Sequence, residues 1–307
     1  MHDDLSPIEK AVFSLITMLF RLFGKIPGPI AKELGKLLGM AGYWVDKKHR
    51  DITLANLKRA FGDEKNEDQL KKLSKAVYKN IGQILFEIGW STNGNLKNLQ
   101  KKIIVKGLKN YKNAHAKGKG VLVITAHLGN WEMLSIVATF ADIPINVLQR
   151  PLDFKPMSRF IETMRTRFGA KLIAANHGMR KTLKALKNGE AVAILMDQNV
   201  DYYLGVWVDF FGTPACTSNG LALLAQKTKA PVISVFLTRT KEGFVAEFGK
   251  EIPLVKTGDK TKDIYQNTLN YTKTIENHIR RHPEQWFWVH RRWKTRHYCD
   301  WPRQIND

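Results

Sequence analysis

Hydrophobic positions change their period about a third of the way along this 307-residue chain. Before Ile103 they recur at helical spacing. Residues 11–23 are dense in Phe, Leu, Ile and Met, interrupted by Arg21, and too short for a secure membrane span, which needs about 20 apolar residues. After Pro27-Gly28-Pro29, the positions Ile30, Leu34, Leu37, Leu38 and Ala41 fall on one face with Lys32 and Lys36 opposite. Residues 47–61 predict a helix ending at Gly62, and 67–90 a longer one with Leu70, Leu73, Val77, Ile81, Ile84 and Leu85 on one face. Residues 93–99 read as a loop or short helix.

From Ile103 short apolar runs alternate with helical patterns. The runs are 103–105, 121–126, 145–148, 172–174, 192–196 and 232–237, and helices are expected near 108–117, 133–140, 155–168, 179–187 and 219–227. This alternation predicts an α/β fold, a central, mostly parallel sheet flanked by helices. Residues 244–248 alternate as a further strand would, and 259–281 read as a long helix stopped before Pro283. Parallel sheets carry their sites at the carboxyl ends of strands. His127, Arg150, Asp197 and Arg239 each follow an apolar run, so they are expected along one edge.

Charge narrows the partners. Lys and Arg number 49 against 28 Asp and Glu, a formal charge of +21. Such a surplus suits an acidic partner: an anionic membrane, a phosphorylated lipid, an acidic carrier protein or nucleic acid. No zinc-finger spacing, RNA-binding aromatic motif or basic zipper supports the last, so no nucleic acid is expected. Cys216 and Cys299 make no disulfide framework, which favours a reduced, cytoplasmic-side location. The Met1-His2-Asp3-Asp4 start is acidic where a secretory signal would be basic. Residues 1–45 admit two readings, ordinary helices on the core or a membrane-surface hairpin.

The densest candidate chemistry is His127-Leu-Gly-Asn-Trp-Glu132. Gly129 permits a sharp turn, Asn130 suits an N-cap, and Glu132 is expected in the first helical turn, close enough to meet the imidazole. A carboxylate on one ring nitrogen leaves the other as a base, and N–H groups at the helix start, near Gly129 to Trp131, offer a place for developing negative charge. The plainer reading of the spacing is a capping or surface pair. No Gly-x-Ser-x-Gly elbow supplies a protein nucleophile. Arg165 and Arg167 are either surface arginines or anion ligands. Asp197 and Gln198 form either a turn or a polar wall of an acceptor pocket. Tyr202 and Tyr203, before Phe210-Phe211-Gly212, line either an apolar channel or the core. His177, His278 and His290 lack ligand spacing with Cys, Asp or Glu, so neither metal nor cofactor is expected.

His-x4-Glu after a strand resembles the signature of glycerolipid and lipid A acyltransferases. The wider chain is similar to the late, lauroyl/myristoyl type of lipid A acyltransferase. The matching stretches are Arg50 with Asn56-Leu57 and Phe61; His127 to Glu132; Arg150-Pro151-Leu152-Asp153; Arg165-x-Arg167-x-Gly169; Asp197-Gln198; Phe210-Phe211-Gly212-x-Pro214; Ala230-Pro231; and Pro283 to Trp286 running on to His290-Arg291-Arg292-Trp293-Lys294. The resemblance implies N-terminal membrane-associating helices (1–45) and an acyltransferase domain (46–307) at the cytoplasmic face of the inner membrane. It implies an acyl carrier protein donor and a phosphorylated glucosamine-lipid acceptor, with His127 as base, Glu132 its partner, and Arg167, Arg165, Arg150, Asp197 and Gln198 binding substrate. Another lipid acceptor (glycerol phosphate, a glycolipid or an aminolipid), or a non-catalytic basic membrane-binding protein, remains compatible with the residues alone.

Overall fold

The structure, a computed structural model, describes residues 5–176 and 178–295. The expectations for the first four residues, His177 and Cys299 lie outside the described residues.

The helical third of the chain is organised by its longest helix. The elements in order are α1 (Pro7–Phe23), α2 (Gly28–Val45), α3 (Lys47–Phe61), α4 (Glu67–Asn93) and α5 (Leu96–Gln100). α1 opens on a reciprocal cap between Ser6 and Glu9, and α4 on the same device between Asn66 and Gln69. Both α1 and α2 lie against α4, and glycine makes the approach possible. A Cβ on Gly39 would strike the Tyr78 carbonyl oxygen, and one on Gly82 would strike that of Gly35. Backbones this close leave no room for a side chain. The outward faces of α1 and α2 keep Leu15, Leu22, Leu37 and Trp44 exposed. No helix among the described residues is long and apolar enough to cross a membrane.

Beyond it come β1 (Ile103–Lys106), α6 (Leu108–His115), β2 (Val121–Thr125), α7 (Leu134–Phe140), β3 (Ile145–Gln149), α8 (Lys155–Thr166), β4 (Lys171–Ala174), α9 (Met179–Lys187) and β5 (Ala191–Leu195). Then follow β6 (Gly205–Phe210), β7 (Thr213–Ser218), α10 (Gly220–Thr228), β8 (Val232–Arg239), β9 (Phe244–Phe248) and α11 (Lys260–Arg281). The main sheet has seven strands in the order β1-β9-β8-β2-β5-β3-β4. Every pairing is parallel except β8 with β9. β2 sits in the middle and is buried along its whole length, which explains its unbroken apolar run.

The alternation after Ile103 therefore becomes the expected mostly parallel sheet. The β6–β7 hairpin was not expected. Its turn is Phe211-Gly212, both at positive φ (55° and 72°), the pattern of a tight two-residue hairpin. Phe210 and Phe211 are buried against Trp286 and Trp288, while Tyr202 and Tyr203 are exposed, so these aromatics do not form one apolar channel.

Gly39→Leu should lower unfolding stability by about 1–3 kcal/mol, because the side chain must push α2 off α4. Gly28→Ala, where an added Cβ meets nothing within 4 Å, should be neutral or slightly stabilising. Denaturant midpoints check this; equal midpoints for Gly39→Leu and wild type would show that α2 does not need its close contact.

Candidate active site

The chain leaves β2 at Thr125 and turns at Gly129, φ 62°, where a side chain would collide with the Leu237 carbonyl. The loop is laced to its surroundings by backbone hydrogen bonds. Gly129 N–H donates to Gln285 O at 2.9 Å, Asn130 N–H to Leu237 O at 3.2 Å, and Phe287 N–H to His127 O at 3.0 Å. A 3-10 turn at Trp131–Met133 then leads into α7. Two expectations are corrected here. Asn130 stands at the N-cap position of this turn but its side chain makes no cap bond; its amide donates to Glu87 at 2.9 Å. The Gly129 and Asn130 N–H groups, offered above for a developing anion, are already engaged by carbonyls.

His127 meets Asp197, not Glu132. Its Nδ1 lies 2.9 Å from Asp197 Oδ1, and its backbone N–H donates to Oδ2 at 2.9 Å. Trp286 Nε1–H donates to the same Oδ2 at 2.7 Å. Register explains the encounter. Thr125 pairs with Leu195 across β2 and β5, and His127 and Asp197 each lie two residues further on. Asp197 is 2% exposed. Burial alone would raise its carboxyl, but the imidazole beside it and the donors from His127 and Trp286 outweigh that and hold it down at about 2. An ionised carboxylate only accepts, so Nδ1 carries a proton and Nε2 is the nitrogen left to act as base. The ring stays 20% exposed. Asp197 thus turns its carboxylate to the imidazole rather than to solvent. Gln198 is half-buried, and its carbonyl accepts from Arg292 at 3.4 Å.

Glu132 faces the other way, into α8. Arg165 grips it with Nε on Oε2 at 2.7 Å and Nη2 on Oε1 at 2.7 Å, while Trp131 Nε1–H donates to Oε1 at 2.9 Å. Arg165 Nη1 also donates to Gln149 at the end of β3. The pair is nearly buried, with side-chain exposures of 14% and 8%. Where the sequence reading set Glu132 against His127, the structure holds its carboxylate on the Arg165 guanidinium and the Trp131 indole. Arg167, two residues on, points away. Its Nη1 donates to the carbonyls of Ser91 and Thr92 in the last turn of α4, where a cation is favoured. Arg150 is exposed and lies 3.4 Å from Asp153.

Residues that the sequence reading did not assign complete the frame. Arg239 pairs with Glu87 through two nitrogens, Nη2 donating to Oε2 at 2.8 Å, and Nη1 donates to Asn80. Gln285 exchanges hydrogen bonds with the Arg239 backbone at 2.8 and 3.0 Å. Asn56 donates to the carbonyls of Trp288 and His290 at 2.8 Å each. Arg292, wholly buried, donates to Cys216 O at 2.7 Å and to Thr217, under the Phe210 ring. The sequence signal for several of them is the run from Pro283 to Lys294. Among the described residues no group of three or more His, Cys, Asp and Glu side chains is placed to hold a metal ion.

An apolar cavity opens beside the loop. It lies between the sheet and α7, lined by Val123, Val147, Ala193, Val235, Val137 and Ala138, with Tyr111 and Phe248 at one side. Trp131, Glu132 and Arg165 are its polar border. The Trp131 ring stands edge-on to His127 at 5.0 Å, so the cavity begins one indole away from the imidazole.

The sequence matches the bacterial lipid A biosynthesis acyltransferase family model over residues 3–295. It is 29% identical over 266 residues to a lipid A biosynthesis acyltransferase of Haemophilus influenzae, covering 85% of this chain and 81% of that protein. It is 27% identical to the lipid A biosynthesis palmitoleoyltransferase of Escherichia coli, over 90% of this chain and 88% of the other. It is 25% identical to the lipid A biosynthesis lauroyltransferase of E. coli, over 89% and 88%.

Because the Asp197 carboxyl is held below its ordinary value of 3.8, its contribution to stability is present above that value and is lost as pH falls toward about 2. Its size is about 2 kcal/mol. The stability gap between wild type and Asp197→Asn should therefore narrow as pH falls from about 4 toward 2. Denaturant titrations across that range measure it; a gap that does not change with pH would contradict the assigned charge.

Proposed function

This chain belongs to the bacterial lipid A biosynthesis acyltransferase family, and we propose that it moves a fatty acyl chain from an acyl carrier protein thioester to a hydroxyl of a phosphorylated lipid A precursor. It is an acyltransferase; donor, acceptor hydroxyl and mechanism are the proposal.

In this reading His127 Nε2 takes the proton of the acceptor hydroxyl as its oxygen attacks the thioester carbonyl carbon. The tetrahedral intermediate collapses with cleavage of the C–S bond. The thiolate leaves and takes the proton from the imidazolium, giving an ester and a free carrier thiol. No acyl-enzyme forms. Asp197 stays ionised throughout, fixes the tautomer and stabilises the imidazolium. The observation that carries the reading is the buried Asp197 carboxylate on His127 Nδ1. The neighbouring cavity supports placing the acyl chain between the sheet and α7, with its carbonyl near Trp131. Glu132 and Arg165 act as a positioning pair that fixes the cavity border. Arg150, exposed near the same edge, is a contact for acceptor phosphate or for the acidic carrier. The exposed apolar faces of α1 and α2 and the +21 charge support attachment to the cytoplasmic face of the inner membrane.

General-base catalysis is worth about 10²–10⁴-fold. His127→Ala should lower acceptor-dependent release of carrier thiol by at least about 10²-fold in protein that circular dichroism shows to be folded, with a lower melting temperature than wild type because the buried Asp197 carboxylate loses a donor. The assay follows thiol release with a phosphorylated glucosamine-lipid acceptor and the acylated product by mass spectrometry. A variant keeping more than a few per cent of wild-type transfer would overturn His127 as the base.

A further inference from the structure

Large exposed apolar side chains are not scattered over this molecule. Among the described residues, all but Ile104 and Tyr265 lie in two places. One is the pair α1 and α2. The other is the carboxyl edge of the sheet, on the segments that follow three adjacent strands. After β3 stand Leu152 and Phe154, 50% and 56% exposed; at the start of α9, after β4, stands Met179, 47% exposed; after β5 stand Tyr202, Tyr203 and Leu204, 56%, 64% and 51% exposed. β5 also neighbours β2, so this rim borders the mouth at His127. Exposed cations are interleaved with it: Arg150, Lys155, Arg180 and Lys181. Its acids are Asp153, set against Arg150, and Asp201, which accepts from the Tyr203 hydroxyl at 3.3 Å.

The two apolar places are joined. α1 runs along α8, with Phe20 stacked on Phe160 at 4.5 Å. Glu9 in the first turn of α1 is held below its ordinary value by the Ser6 backbone N–H and, to a smaller extent, by the charge of Lys155, the first residue of α8. The start of α1, with exposed Ile8, therefore lies toward the Lys155 end of α8. Leucine, phenylalanine and tyrosine on separate loops, with Lys and Arg between them, is the composition that settles at a bilayer interface: apolar tips enter the acyl boundary, phenols sit at headgroup level and cations meet lipid phosphates. Each of these side chains leaves about half or more of its surface in water.

We propose that this rim is a second lipid-contact face, which presses the mouth of the site against an anionic bilayer so that the acceptor reaches His127 without leaving the membrane. The proposal rests on membrane attachment through α1 and α2, and adds an orientation to it.

The test is flotation of the full-length protein with vesicles of phosphatidylethanolamine and phosphatidylglycerol. A rim variant carries Leu152→Ser, Phe154→Ser and Tyr203→Ser; a helix variant carries Leu15→Ser, Leu19→Ser and Leu37→Ser. Each changed side chain is exposed, so both should melt near the wild-type temperature. The rim variant should partition at least about tenfold less than wild type with α1 and α2 unaltered. Loss in the helix variant alone would overturn the rim and leave the helices as the sole attachment. Loss in the rim variant alone would support the rim and overturn attachment through the helices. No loss in either would overturn both. A rim variant that keeps its vesicle partition but loses affinity for acyl carrier protein would overturn the lipid assignment in favour of a carrier dock.

Discussion

A charged carboxylate 2% exposed to solvent is the constraint around which this protein is built. An ion of that kind is tolerated only when its lone pairs are used, since desolvation without partners costs several kcal/mol. Asp197 recruits three donors from two other segments, the ring and backbone N–H of His127 and the indole of Trp286. Satisfying it therefore fixes the strand end of β5, the loop after β2 and the C-terminal run at one point. The C-terminal run is held in turn by Asn56 from α3 and by the buried Arg292. The stability of the fold and the orientation of the imidazole are the same set of hydrogen bonds.

Two guanidinium–carboxylate pairs brace that centre from either side. Arg165–Glu132 ties the loop to α8 and β3, and Arg239–Glu87 ties α4 to β8, with Asn130 of the loop also on Glu87. Removing one partner of such a pair strands the other charge, at roughly 3–5 kcal/mol. Loss of activity on changing Glu132 therefore does not identify it as a group that touches His127. The pair also borders the apolar cavity, so a change there alters the surface against which an acyl chain would lie.

Much of the fold could be read in the sequence because its signal is local. Apolar runs such as Val121 to Ala126, and the helical patterns between them, report burial directly. The β6–β7 hairpin escaped because neither strand is an unbroken apolar run and its turn lies inside an aromatic cluster that also looked like a lining. At the candidate site the sequence reading paired His127 with Glu132, whereas the structure sets His127 against Asp197. His127, Asp197 and Arg239 were placed at strand ends, but spacing favours the partner nearest in sequence, which is Glu132. The true neighbour is set by strand order, and nothing in a single sequence says that β5 lies beside β2. Likewise Arg165 and Arg167 look alike in a motif. Only the path of α8 directs one inward to Glu132 and the other back to the end of α4.

The most direct test of the Asp197–His127 contact is proton NMR of protein labelled with 15N-histidine, with the His127 resonance assigned by its absence in a His127→Ala sample. A proton on Nδ1 held by a buried carboxylate should appear far downfield. It should move upfield when Asp197 becomes Asn and stay in place when Glu132 becomes Gln in a protein that remains folded. A signal indifferent to Asp197→Asn and displaced by Glu132→Gln would contradict the arrangement and return the role of partner to Glu132.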